Sequence, residues 1–335
     1  MNHHTTPNHH PSRPARGLGL LSGGLDSILA CLVLRRAGVE VQAVSFVTPF
    51  FNADKARRAA ELYEIPLTVL EVGPDHLERV VKNPRYGYGS NMNPCIDCHA
   101  YMFRMAGELA DERGMDFLFS GEVLGQRPMS QNRQALGNVE RLSGQAGRIL
   151  RPLSARLLPP TPLEEKGLVD RSALLGLSGR GRKPQMALAR ELGVREYPPP
   201  AGGCLLTEPG FSRRLKDLLE HEPGAGVAQV ELLKHGRHLR LSPRAKLVVG
   251  RNQADNRRLE AAAPPGALEL VCLGIPGPLG LYFGPPDGQD LELAARVVAG
   301  YAKTEPGQKV RVRAGEDRVL EVQPLPRRQA HGMLL

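Results

Sequence analysis

The chain has 335 residues, 41% of them hydrophobic and 24% charged, enough to bury a sizeable core in two domains or in one large and one small. No run of about 18 apolar residues occurs, which excludes a membrane-spanning helix, and the start lacks the charged-then-apolar pattern of a secretory signal, so the expected address is cytoplasmic. Lys and Arg outnumber Asp and Glu by 44 to 35, a formal net charge of +9, which suits a polyanionic partner such as nucleic acid without requiring one.

Residues 1–16 (MNHHTTPNHHPSRPAR) hold four His and three Pro without hydrophobic periodicity and read as a disordered tail rather than a metal site. Gly17 to Leu21 then forms a short apolar run, Ser22-Gly23-Gly24-Leu25-Asp26-Ser27 a tight loop, and Ile28 to Arg36 a helix that Gly38 ends. Val39 to Phe46 reads as the next strand, Ala53 to Tyr63 as a helix and Leu67 to Val72 as a third strand. A helix entered at Cys95 and stopped near Gly114 leads to a fourth strand, Phe117 to Ser120, and Arg148 to Leu153 reads as a fifth. Repeated βαβ units of this kind predict an α/β fold, a doubly wound, mostly parallel sheet with helices on both faces, over residues 17–222. A helix from about 211 to 219 is expected to close that domain. Past the Pro, Gly and Ala of residues 222–227, short strands near 237–241, 245–249, 268–273, 309–313 and 318–322 indicate a smaller α+β domain over residues 223–335.

Two glycines in the 22–27 loop allow a sharp turn and close approach to a ligand, and the helix that follows offers free N–H groups and a positive dipole end, so the loop is an anion cradle. A Walker loop would carry a Lys before the Ser; none is present, which disfavours γ-phosphate transfer and favours pyrophosphate capture. Ser22, Gly23, Gly24, Asp26 and Ser27 are the candidate nucleotide-binding residues. The bland alternative is a Gly-rich turn that binds nothing.

Five cysteines, at 31, 95, 98, 204 and 272, form an odd set, which in a reducing compartment points to chemistry or metal for some of them. Cys95 and Cys98 form a Cys-x-x-Cys pair at a helix start, where the helix dipole favours anionic sulfur. Cys204 arrives behind PPPAGG (198–203), a rigid and then flexible loop. Either Cys95 and Cys204 alternate as persulfide carrier and resolving thiol, or Cys95, Cys98 and Cys204 hold an iron–sulfur cluster with one iron open. Zinc would need further ligands at short spacing, of which His99 is a candidate. Cys31 and Cys272 lie in apolar stretches and read as core.

The loop Ser22-Gly23-Gly24-Leu25-Asp26-Ser27 resembles the SGGxDS signature of the PP-loop ATP pyrophosphatase superfamily, with its HUP-like sheet. The segment Asn93-Pro94-Cys95-Ile96-Asp97-Cys98, with Gly202-Gly203-Cys204 downstream, is similar to the cysteine motifs of MnmA 2-thiouridine synthases, ThiI-type 4-thiouridine synthases and cluster-dependent tRNA thiolases. The resemblance covers about residues 17 to 220. It implies an ATP-dependent tRNA sulfurtransferase: ATP adenylates a uridine oxygen, pyrophosphate leaves, and sulfur displaces AMP. It further implies Mg²⁺ near Asp26, a [4Fe-4S] cluster on Cys95, Cys98 and Cys204, catalytic roles for Cys95, Cys204 and Asp26, and tRNA plus a sulfur donor (sulfide or a persulfide carrier) as partners, with a homodimer among the expected assemblies. Three departures leave the modified uridine open. The sequence shows no room for the RNA-binding domain that precedes the PP-loop in ThiI and no C-terminal rhodanese motif, and His-Ala rather than Asn follows Cys98.

Lys234, Arg237, His238, Arg240, Arg244, Lys246, Arg251, Arg257 and Arg258 crowd one stretch, and Gly250-Arg251-Asn252 with Asp255-Asn256 resembles the NFACT-R domain, a presumed RNA-binding module, over residues 225–335. An ordinary solvated basic face is the alternative. Arg127 with Arg133, and Arg180, Arg182 and Lys183, are further candidate phosphate or RNA contacts. Other enzymes in reach are a small-molecule PP-loop ligase and a desulfidase that needs no ATP; a non-catalytic RNA-binding protein with a structural metal is the reading from another class.

Overall fold

The computed structural model describes residues 13–199 and 203–335, in two compact units that divide between Leu205 and Leu206. Most of the expected tail, residues 1–12, and the core of the PPPAGG loop, residues 200–202, lie outside the described residues. The end of that tail does not follow expectation. Arg13 sets its guanidinium on the Asp116 carboxylate at 2.7 and 2.9 Å, Ala15 is buried, and the first strand opens at Arg16.

The first unit runs β1 (Arg16–Leu20), α1 (Leu25–Arg36), β2 (Glu40–Val47), α2 (Asp54–Leu62), β3 (Leu67–Glu71), α3 (Gly73–His76), α4 (Cys95–Glu112), β4 (Phe117–Ser120), α5 (Arg133–Ser143), β5 (Ile149–Leu150), α6 (Pro162–Glu165) and α7 (Lys183–Glu191). A π-helical turn, Leu77–Val81, continues α3. Its five strands form the parallel sheet that the βαβ spacing predicts, in the order β3-β2-β1-β4-β5. Apolar side chains line both faces: Leu25, Ile28 and Leu29 of α1 pack with Phe117 and Phe119 on one, and Phe103 and Ala106 of α4 pack with Leu18 and Leu118 on the other. Burying each such large side chain is worth about 1.5–3 kcal/mol. Strand order reverses direction at β1 and β4, so the crevice at their carboxyl ends is where an open α/β sheet receives ligands.

The second unit holds α8 (Pro209–His221), α9 (Val227–Leu232), β6 (Arg237–Ser242), β7 (Ala245–Val249), α10 (Gln253–Ala262), β8 (Leu268–Cys272), β9 (Gly280–Phe283), α11 (Gln289–Tyr301), β10 (Val310–Ala314), β11 (Arg318–Val322) and α12 (Arg327–Ala330). Its strands form a six-stranded antiparallel sheet, β11-β10-β8-β9-β7-β6. Leu291, Ala294, Ala295 and Val298 of α11 cover one face, against Leu247, Leu270 and Val312; Leu232 and Leu259 meet Val248 and Leu281 on the other. The Gly-Arg-Asn pattern builds the turn into α10. Asn252 caps the helix by accepting from the Asp255 backbone N–H at 2.9 Å, Arg251 pairs with Asp255 at 2.5 Å, and Asn256 Oδ1 accepts from the Leu279 N–H at 3.2 Å.

Helix α8, read from sequence as closing the first domain, belongs to the second unit, and the boundary moves from 222 to 205. Asp217 explains the shift: its carboxylate takes both Arg240 Nε (2.9 Å) and a terminal Arg240 nitrogen (2.7 Å) and lies 3.5 Å from the buried ammonium of Lys246. A buried ion pair holds a helix to its own sheet because separating the partners strands a desolvated charge. Among the described residues no helix is long and apolar enough to cross a membrane. Asp217→Ala, which leaves Lys246 buried without its counter-charge, should cost roughly 3–5 kcal/mol of stability, read as an earlier urea midpoint for the second unit; an unchanged midpoint would show that α8 is held by packing alone.

Candidate active site

The loop after β1 is shaped by close backbone contacts. Gly23 has φ of +75°, and a Cβ there would come within 2.2 Å of the Lys55 carbonyl carbon and oxygen, so only glycine fits where the loop meets α2. Gly24, with φ −77° and ψ 158°, is the N-cap of α1 and offers no side chain to its first N–H groups. Those donors and the dipole behind them face the crevice. Ser22 and Ser27 brace the turn: the Ser22 hydroxyl accepts from Gly24 N–H at 3.3 Å, the Ser27 hydroxyl donates to Gly24 O at 2.8 Å, and the two hydroxyls stand 3.3 Å apart.

Asp26 sits on the first turn of α1. One carboxylate oxygen accepts from Gln126 Nε2 at 2.8 Å, while the other is buried with no hydrogen-bond partner. Burial pushes its carboxyl pKa up; the Gln126 bond and the nearby guanidinium groups of Arg182 and Arg127 pull against that rise. Gln185 donates to Gln126 at 3.3 Å, and Arg182 Nε is itself buried without a partner. Unsatisfied donors and acceptors of both signs beside an anion cradle are what a phosphate–metal ligand would complete. The carboxylate oxygen suits a hard cation such as Mg²⁺, and Arg127 and Arg182 suit phosphate oxygens. The basic run 180–183 thus reaches the loop through Arg182. Arg133 is committed elsewhere, donating to Leu157 O at 2.8 Å. Beside Gly23, a cleft of about 650 Å³ is lined by apolar Ile28 and Leu62 and by charges of both signs, Lys55, Arg58 and Arg195 with Asp54 and Glu196.

The three predicted thiols come together around the start of α4, but not in equivalent settings. Cys95 is half-buried, and its sulfur accepts from Asn93 Nδ2 at 3.2 Å. Cys98 is buried, with its sulfur 3.2 Å from His76 Nε2. Burial, the neighbouring sulfurs of Cys204 and Cys95, and Asp97 drive the Cys98 pKa well up, so it is held as a thiol. His76, enclosed by Phe50, Phe51 and Tyr101 with ring centroids 5.8–5.9 Å away, is pushed by burial down to about 4 and stays neutral. Cys204 follows the undescribed loop residues, and the next residue anchors it: Leu205 N–H donates to Phe50 O at 2.9 Å. The donor chemistry, three grouped thiols, fits an iron–sulfur cluster. The packing described does not gather them as ligands, since among the described residues no group of three or more His, Cys, Asp or Glu side chains is disposed to hold a metal ion. Cys31 and Cys272 are buried, as expected of core residues.

Sequence reasoning passed over the group that joins the two halves of the site. Glu122, buried at the carboxyl end of β4, accepts from Ser120 Oγ (3.0 Å) and Arg151 Nε (3.0 Å) and lies 2.8 Å from His99 Nδ1. Arg151, equally buried, also pairs with Glu140. Burial alone would raise the Glu122 carboxyl; Arg151 and His99 overcome it and bring the pKa down to about 2. Next to Glu122, Gly121 lies so close to α1 that a Cβ would sit 2.4 Å from the Asp26 carbonyl. The only sequence signal was the Gly-Glu pair after a strand; the Arg151 partner, 29 residues on, gave none.

Family models match the chain in two places. Residues 14–156 match the family model described as thiamine biosynthesis protein (ThiI), and residues 236–332 match that of the NFACT protein RNA binding domain. The chain is 33% identical over 104 residues to tRNA-specific 2-thiouridylase MnmA 3 of Bacteroides fragilis, covering 30% of this chain and 29% of that one. It is 27% identical over 220 residues to tRNA-specific 2-thiouridylase MnmA 1 of Syntrophus aciditrophicus, covering 60% and 55%, and 32% identical over 144 residues to a probable tRNA sulfurtransferase of Finegoldia magna, covering 42% and 36%. The first unit is thus similar to tRNA thiolases over its PP-loop part, and the second is similar to the NFACT RNA binding domain. The chain spans between about a third and about half of the length of these relatives.

Arg151→Leu should destabilise the first unit by about 3–5 kcal/mol, because it takes the guanidinium from buried Glu122 and leaves only Ser120 and His99 beside the carboxylate. In the unaltered protein the contribution of Glu122 to stability is complete above its ordinary pKa of 4.5 and is lost as pH falls through about 2. Urea unfolding at a series of pH values reads both, and a midpoint that Arg151→Leu leaves in place would remove the network from the account.

Proposed function

We propose that the protein thiolates a uridine of tRNA in an ATP-dependent reaction that releases AMP and pyrophosphate. The observation that carries this reading is the bracing of the two chemical loops at one end of the sheet. His99, beside Cys98, is bonded to Glu122, and Gly121, beside Glu122, presses on Asp26. A nucleotide cradle and a set of thiols are thereby held in a fixed relation. The names of the relatives support the substrate class, and the basic NFACT-R domain supports an RNA partner.

The cradle of Gly23, Gly24, Ser22 and Ser27 would hold the phosphates, Asp26 is the residue that would hold Mg²⁺, which would offset phosphate charge, and Arg127 and Arg182 would balance the charge of the departing pyrophosphate. The uridine carbonyl oxygen attacks the α-phosphorus, and pyrophosphate leaves. Sulfur then adds to the activated carbon, and AMP leaves with the former carbonyl oxygen. Adenylation makes that oxygen a good leaving group, which an unactivated carbonyl lacks. Cys95 and Cys204 are the residues suited to deliver sulfur from a persulfide donor, because Cys98 is buried: one thiolate takes the donor's outer sulfur as the donor thiol leaves, that sulfur adds to the activated carbon, and the other cysteine closes a disulfide on the first as the carrier S–S bond breaks. If a [4Fe-4S] cluster is bound, Cys95, Cys98 and Cys204 would hold it, and it would supply an iron at which sulfide can bind. The second unit would contribute phosphate contacts that position the RNA without reading its sequence.

Asp26→Ala should lower AMP formation by roughly 10²–10³-fold, and Cys204→Ser should abolish thiolation while leaving pyrophosphate release measurable. Unaltered turnover in Asp26→Ala would take adenylation out of the mechanism. Iron and acid-labile sulfide in protein purified without oxygen separate the two sulfur routes: about four irons per chain, lost on Cys95→Ala, is the cluster, and no iron with a Cys204 disulfide is the relay.

A further inference from the structure

Between the π-helical turn and α4 the chain passes through Lys82-Asn83-Pro84-Arg85-Tyr86-Gly87-Tyr88-Gly89-Ser90-Asn91-Met92-Asn93, and this segment is built onto the thiol helix at two points. Asp97, which lies between the two cysteines and is itself buried, accepts from the backbone N–H groups of Arg85 at 2.7 Å and Tyr86 at 3.0 Å. Asn93 accepts from Gly89 N–H through its backbone oxygen at 3.0 Å and from Asn91 N–H through its side-chain oxygen at 3.1 Å, and its amide nitrogen donates to Cys95 Sγ at 3.2 Å. Tyr88 donates its hydroxyl to Val81 O at 2.7 Å. The Asp97 and Asn93 bonds therefore tie the segment to the Cys-x-x-Cys helix start, and the Tyr88 bond ties it to the π-helical turn. A loop fastened in this way has a fixed register relative to the sulfur chemistry.

What that register presents is aromatic. Tyr86 and Tyr88 are 40% and 39% exposed, in a chain with no Trp and only seven Tyr. The hydroxyl of Tyr88 is spent on Val81. Tyr86 and its chain neighbour Arg85 are both exposed, and among the described residues the Arg85 guanidinium makes no ion pair. An exposed aromatic ring next to a cation in the chain, on a loop tied to the helix that carries the Cys-x-x-Cys pair, is the arrangement that stacks on an unpaired nucleobase.

We propose that the 85–93 segment is the docking platform for an unpaired nucleotide of the RNA substrate, with the ring of Tyr86 stacking on a base and Arg85 meeting its phosphate. Asp97 and Asn93 are positioning residues that hold the platform against Cys95. The proposal rests on the thiolation reading for its substrate class, but its test does not depend on turnover.

The test measures binding of unmodified tRNA to the full chain by fluorescence anisotropy, together with ultraviolet cross-linking of RNA that carries 4-thiouridine. Tyr86→Ala should weaken binding roughly 5- to 150-fold, the range of one base–aromatic stack. Tyr86→Phe should restore binding to within about twofold, since the ring and not the hydroxyl stacks. The cross-link should map to residues 85–93 in the unaltered protein and vanish in Tyr86→Ala. RNA affinity and cross-link unchanged in Tyr86→Ala would overturn the platform, whether or not the protein thiolates. RNA bound through Tyr86 by a protein that forms no thiouridine would uphold the platform and sink the thiolation reading. Unchanged circular dichroism and ATP affinity in Tyr86→Ala exclude misfolding as the cause of lost binding.

Discussion

The site depends on how closely the loop after β4 approaches the first turn of α1. A Cβ on residue 121 would lie 2.4 Å from the Asp26 carbonyl, so glycine is the one residue that lets the two loops share the crevice between β1 and β4. From that contact the remaining geometry follows outward. Glu122, fixed next to Gly121, takes Arg151 from just after β5 and His99 from α4, and His99 brings with it the helix start that carries Cys95 and Cys98. A rearrangement at any of these points moves the cradle relative to the thiols, which is why the charge network is buried and fully paired where a surface network would be worth little.

The two cysteines of the pair, alike in sequence, differ in physics. Cys98 turns inward to His76, and burial keeps it a thiol; Cys95 stays half-buried under the Asn93 amide. The π-helical turn after α3 follows the histidine that reaches Cys98, and π-turns of this kind recur at functional sites. Division of labour within the pair therefore comes from tertiary surroundings rather than from the Cys-x-x-Cys spacing.

Much of the fold was legible because its signals are local. The apolar run from Gly17, the SGGxDS turn and the periodic stretch that follows are contiguous, and repeated βαβ spacing yields a parallel sheet almost without alternatives. The candidate nucleotide residues were legible for the same reason. Helix α8 was assigned to the wrong unit because the residue that decides the matter, Asp217, looks like any acidic residue on an amphipathic helix; only its partners on β6 and β7 give it meaning. The short strand β9 was missed, its four residues lying between Pro- and Gly-rich turns. The roles of Glu122, Gln126, Arg182 and His76 rest on contacts across tens of residues, and no periodicity announces them. The Gly-Arg-Asn pattern, which lies within the residues that match the NFACT RNA binding domain, takes its local role from the turn into α10, where Asn252 caps the helix and Arg251 pairs with Asp255.

The central claim, that a uridine oxygen is activated by adenylation at this cradle, is tested most directly by following that oxygen. With tRNA whose uridine carbonyls carry ¹⁸O, ATP and sulfide, mass spectrometry of the nucleotide products should find one labelled oxygen in AMP for each thiouridine formed. Thiouridine formed with unlabelled AMP, or with ADP as the product, would contradict it.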